Sequence, residues 1–126
     1  MTDVRPAAIL NDDETALLIR ALGEWGGPAR CSDEMAYAMG FADAADLYTG
    51  SRRLSHAIRD DVPLSPADWA RVLLATEVVF VSDLVGSGYE WSTTTGRSDE
   101  GTIRLLRGLQ RQLGKVIKPY YGKRPQ

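Results

Sequence analysis

The chain has 126 residues, 44% of them hydrophobic and 25% charged, which suits one globular domain with its own apolar core. Its single cysteine, Cys31, excludes an internal disulfide and a Cys-based zinc site, and a reducing compartment is expected. The net charge of −2 is unevenly spread: residues 1–101 hold all 17 acids and 8 of the 15 bases, and residues 102–126 hold 7 bases and no acid.

"MTDVRPAAILNDDE" has no apolar run of signal-peptide length and carries early acids. No stretch approaches the roughly 18 apolar residues of a membrane span. A cytoplasmic protein without a membrane span is expected. The charge split has a plain reading, in which the tail helix lies on the acidic body and is neutralised by it. A second reading gives the tail an anionic partner.

Five helices are predicted and no strand. The first covers about 12–24, with Asn11 and Glu14 as a capping box and Gly26-Gly27-Pro28 as its end. A short second helix at 33–39 starts at Ser32 and stops at Gly40. The third runs from about 43 to 59 on Leu47, Leu54 and Ile58, weakened by Gly50 and ended at Asp60-Asp61. "SPAD", residues 65–68, is the clearest start signal: Ser65 caps, Pro66 takes the first turn and Asp68 can bond back. That fourth helix is predicted to reach about 85. A loop at 86–97, pinned by Trp91, leads to a fifth helix from about 98 to about 118, closed by Pro119. The fold class is therefore all-α: one domain, 1–118, built around a central buried helix, with a frayed tail at 119–126.

The central helix carries two acids in its apolar run "ATEVVFVSD". At 100° per residue the polar arc holds only Asp68, Arg71 and Ser82. Glu77 falls beside Leu84, and Asp83 between Val72 and Thr76. Both are expected as buried structural acids, about 120° apart. Each is expected to pair with a different base from Arg52, Arg53, Arg59 and Arg104.

In "SDEMAYAMGF", residues 32–41, Met35, Ala36, Met39, Gly40 and Phe41 occupy a pattern of apolar, small and turn-glycine positions. This resembles the first helix and turn of the helix-turn-helix superfamily. The resemblance implies that 12–24 supports, that 43–59 is a recognition helix, and that Met35, Met39 and Phe41 pack the helices together. Asp46 stands where the family places an apolar residue, with Leu47 one place late. Asp43 and Asp46 put carboxylates where phosphates would approach. Arg52, Arg53 and His56 form the nearest basic patch.

Arg104, Arg107, Arg111, Lys115 and Lys118 share an 80° arc of the last helix, opposite Leu105, Leu106, Leu109, Leu113, Val116 and Ile117. A nucleic-acid backbone or an acidic protein surface would suit that stripe, and so would plain solvent. No phosphate-loop spacing is present. One histidine gives no support to a Ser-His-Asp set, so no catalytic, cofactor-binding or metal residue is assigned. Arg97 beside a helix start is a weak anion seat, already occupied by Asp99 and Glu100. Cys31 follows Arg30 and precedes a helix start, which would lower its pKa; a plain, partly buried thiol is the preferred reading.

The expected function is a non-enzymatic interaction or regulatory protein acting through a protein partner or a homodimer. The alternative is a DNA-binding regulator using residues 32–59 with the basic last helix.

Overall fold

A computed structural model describes residues 2–121, with side-chain burial through Lys118. Among these residues the chain forms seven α-helices and one 3₁₀ turn. They are α1 (Pro6–Ile9), α2 (Asp12–Glu24), α3 (Asp33–Ala38), α4 (Ala44–Arg59), α5 (Pro66–Val81), α6 (Trp91–Thr95, after a 3₁₀ turn at Gly88–Glu90) and α7 (Asp99–Tyr121). Paired backbone is limited to two isolated bridges, Val4 with Leu64 and Trp25 with Ala29. The all-α, single-domain expectation holds. Of the frayed tail expected at 119–126, residues 122–126 lie outside the described residues, and α7 continues past Pro119 to Tyr121. A proline removes one backbone donor, and here the last turn remains helical without it.

The start signals act as the side chains dictate. Asn11 and Glu14 form a reciprocal capping box at α2, and Ser32 and Ser65 accept from Met35 N and Asp68 N. At α5 the reciprocal half is missing. Asp68 turns its carboxylate to Arg53 and Arg71 instead of to its own helix start.

α5 is the central element, as predicted, and packs against α7, α2 and α4. It buries Trp69, Val72, Ala75, Thr76, Val79 and Phe80. Opposite lie Leu17, Leu18 and Leu22 of α2, Leu47 and Leu54 of α4, and Leu109 and Leu113 of α7. Each such leucine stabilises the fold by about 2–3 kcal/mol. All three indole N–H groups are satisfied: Trp25 donates to Ala75 O, Trp69 to Val4 O and Trp91 to Thr102 Oγ1.

α5 stops at Val81, four residues before the predicted end. Ser82 is extended, and its hydroxyl accepts from Leu84 N and Val85 N, a local turn that competes with the helix. Leu84, placed on the apolar helix face by periodicity, is therefore 95% exposed. The return is tight: a Cβ on Gly86 would lie 2.5 Å from Val78 O, and Ser87 N donates to Val79 O. Trp91 then pins the segment, fully buried and edge-on to Phe80 with ring centroids 5.4 Å apart.

Candidate functional site

Among the described residues, neither acid of "ATEVVFVSD" is held by a base. Glu77 is half-buried and accepts from Gln110 Nε2 of α7 at 2.6 Å; Arg107 in turn donates to Gln110 Oε1. Asp83 is exposed, because the helix has already ended, and it accepts from Tyr89 N. The expectation of two buried acids paired with two arginines is corrected on both counts. A neutral amide reaches Glu77 first, and Asp83 serves as a loop cap.

The acid that is fully buried is Glu24, the last residue of α2, at 2% exposure. Its Oε1 accepts from Ser87 Oγ at 2.9 Å and from Thr94 Oγ1, and Arg20 Nη2 lies 3.4 Å from its Oε2. Arg20 also donates to Thr94 O. The sequence held a signal for this residue. Glu24 follows Leu17 by seven positions, which places it within about 20° of a core leucine on the helix. Both carboxylate oxygens are engaged, so the group clasps the 82–97 segment onto α2.

The bases assigned to residues 52–56 separate. Arg53 makes a paired contact with Asp68, both N–O distances being 3.1 Å, and Arg71 joins Asp68 at 2.9 Å while donating to Gly40 O. Burial pushes the Asp68 carboxyl up, but hydrogen bonds and charge from Arg53 and Arg71 outweigh it and hold it below the usual carboxylate range. Arg52 and His56 stay exposed and line a cleft of about 260 Å³ with Gly23 at the end of α2, the Gly26-Gly27 turn, Ser51 and Ser55. The basic patch is thus two groups, not three.

The helix-turn-helix pattern maps onto α3, a turn with Gly40 at φ +99°, and α4. Met39 and Phe41 are buried there, whereas Met35 is 38% exposed and lies outside the buried core. Asp43 caps α4, Asp46 accepts from Ala42 N, and Asp33 accepts from Ala44 N. Three carboxylates are thereby fixed around the amino end of α4. Backbone donors there account for the acid that replaces the family's apolar residue at 46.

On α7, Leu106, Leu109, Leu113 and Ile117 are buried, and Arg104, Arg107, Arg111, Lys115 and Lys118 are exposed. The expected neutralisation by the acidic body is not observed among the described residues. The only ion pair of the stripe there is Arg104 with Glu100, one turn away on the same helix. Around the four remaining bases the surface also includes Glu14, Gly108, Gln110, Gln112 and Gly114. Apart from Glu14 of α2 it lies along α7, and it is open to solvent.

Ser98 caps α7 by accepting from Gly101 N, and Arg97 N donates to Thr95 Oγ1, so no anion seat is built there. Burial pushes the Cys31 thiol up, against the lowering by the Ser32 N–H, with Asp33 adding to the rise. Among the described residues there is no cluster of three or more metal-ligating side chains and no helix long and apolar enough to cross a membrane. In comparisons with known proteins, the chain matches no family model, no curated protein and no solved structure.

Proposed function

We propose that the chain is a non-enzymatic interaction protein of the cytoplasm, whose working surface is the basic outer face of α7 and whose partner is a protein presenting carboxylates. The observation that carries this reading is the exposed set Arg107, Arg111, Lys115 and Lys118, which no acid of the described body pairs. Like charges held on one helix repel, and an acidic surface relieves that repulsion while gaining several charge-assisted hydrogen bonds. A regulatory role fits a docking surface carried on a rigid helix. An acidic protein suits the stripe better than nucleic acid does. The rest of the chain carries a net −9, which opposes the long-range approach of a polyanion but not the local docking of one patch.

The test is capture from native cell extract by the full chain, after nuclease treatment, with Arg111→Glu/Lys115→Glu alongside. Both residues are exposed, so the variant is expected to melt within a few degrees of the parent. A protein retained after nuclease, released by salt and lost with the variant supports the reading. Equal capture by both forms removes α7 as the surface.

A DNA-binding regulator is the second reading, favoured by the order of α3, the Gly40 turn and α4. It requires salt-dependent duplex binding that weakens on Arg52→Ala or Arg53→Ala. Weighing against it are the three fixed carboxylates at the amino end of α4 and the use of Arg53 by Asp68.

A further inference from the structure

The cleft between the carboxyl end of α2 and the middle of α4 has a graded chemistry. Ser51, Arg52, Ser55 and His56 line one wall from a single face of α4; Leu22 and Trp25 supply apolar surface, and Gly23, Gly26 and Gly27 the rest. Depth sorts the polar groups. Ser51 is fully buried, Ser55 is half-buried, and Arg52 and His56 stand exposed at the rim. The Ser51 hydroxyl has no hydrogen-bond partner among the described residues. A buried hydroxyl left so costs about 1–3 kcal/mol; it lies just beneath the cleft surface, so a bound acceptor would remove that cost once the wall shifts enough to admit it.

Gly23 adds an independent observation. It sits inside α2, where glycine costs about 1 kcal/mol against alanine. A Cβ there would meet nothing within 4 Å, so packing within the chain does not demand a glycine. Its effect is to leave the cleft wall bare. Arg52 and His56 form no ion pair among the described residues, and the nearby Asp60 is engaged by Arg59. All four polar side chains of the cleft can donate hydrogen bonds, and one is a permanent cation.

We propose that this cleft binds a small oxyanion, the phosphate or carboxylate group of a small metabolite, with Arg52 at its mouth and Ser51 at its floor. The volume of about 260 Å³ lies below the range of drug-sized pockets, which restricts the ligand to one compact anionic group with a small apolar remainder. This site is separate from the α7 surface and does not depend on its role.

The experiment is a titration of the isotope-labelled full chain with inorganic phosphate and with acetate, followed by amide NMR, using chloride at matched ionic strength as reference. Saturable shifts are expected at Gly23, Gly27, Ser51 and Arg52 with at least one of the two probes. Which probe saturates assigns the ligand as phosphate or carboxylate. Arg52→Gln is expected to weaken binding about tenfold or more, the usual scale for a charge-assisted contact. Gly23→Gln places a side chain in open space beside the cleft and is expected to block binding with the fold intact. Ser51→Ala is expected to weaken binding, whereas Thr76→Val, which removes the other unpartnered buried hydroxyl, is expected to leave it unchanged. Shifts with both probes that merely follow ionic strength overturn the proposal. So do shifts that centre on α7, or affinity that survives both Arg52→Gln and Gly23→Gln.

Discussion

Gly50 lies in the middle of α4, where glycine normally weakens a helix by about 1 kcal/mol. Its neighbour explains it. A Cβ on Gly50 would lie 2.8 Å from Cε1 and 3.2 Å from Cδ1 of Phe41, a buried ring that follows the Gly40 turn. Gly50→Ala, which would stabilise an exposed helix, is therefore expected to destabilise this protein by about 1–3 kcal/mol, as overpacking does. Urea unfolding measures it, and a gain in stability would show that the ring moves aside freely. The helix cost of Gly50 could be read in the sequence; the ring that requires it could not, since nothing local says that Phe41 folds back there. The same gap separates Glu77 from its true partner. The wheel placed Glu77 off the polar face, and it is indeed half-buried, but Gln110 lies 33 positions away and is an amide. Charge pairing alone does not single out a neutral amide.

Among the elements, five of the seven helices were legible; α1 was missed, and so was the helical content of the segment between α5 and α7, where a loop was expected and α6 forms. Caps and apolar spacing are local, so Asn11, Ser32 and Ser65 could be identified at their helix starts. The 82–97 segment is organised by distant groups. Ser87 and Thr94 reach Glu24 across 63 and 70 positions, and Gly86 is pressed against the α5 backbone. Trp91 was identifiable as a pin because an indole in a polar stretch has to find a core, and it does. The clasp makes a distinct prediction. Glu24→Ala would leave the Ser87 and Thr94 hydroxyls without their shared acceptor, while half-exposed Arg20 keeps its bond to Thr94 O, and is expected to cost about 1–3 kcal/mol, the scale for unsatisfied buried polar groups. Glu24→Gln keeps an acceptor for the hydroxyls and is expected to cost less than Glu24→Ala. Amide hydrogen exchange should show the loss first at Ser87–Thr95, with α4 protected longer. Uniform loss across the chain would mean that the segment and the core open as one unit.

At the scale of the whole molecule, two carboxylates fasten elements that lie apart in the sequence. Asp61, at φ +57°, accepts from Ala7 N at 2.8 Å and from the Arg5 guanidinium, which fastens the amino-terminal segment to the corner between α4 and α5. Asp68 joins α4, α5 and the Gly40 turn through Arg53 and Arg71. The Ala7 N–H first, and then Arg5, hold the Asp61 carboxyl below its usual value; at Asp68 the two arginines outweigh burial to the same effect. A carboxyl whose folded pKa is depressed binds its proton more readily in the unfolded chain. Its contribution is therefore complete above the ordinary value of 3.8 and is lost as pH falls through the lower folded value. Acid also neutralises the other carboxylates, leaving 15 bases to repel one another, and that effect is common to any variant. The difference between two proteins isolates the pair. Asp61→Asn/Asp68→Asn is expected to be less stable than the parent at pH 7, and the gap between their melting temperatures is expected to narrow as pH is lowered from 5 to 2.5. Exposure of Asp61 and screening at both sites keep the individual effects modest, so the double variant is the informative one. A gap that stays constant across that window would mean that the two residues stabilise the fold through geometry alone. Arg5→Gln should reproduce only part of the Asp61 share of the narrowing, because Ala7 N, the larger cause of the depression, still donates to the carboxylate.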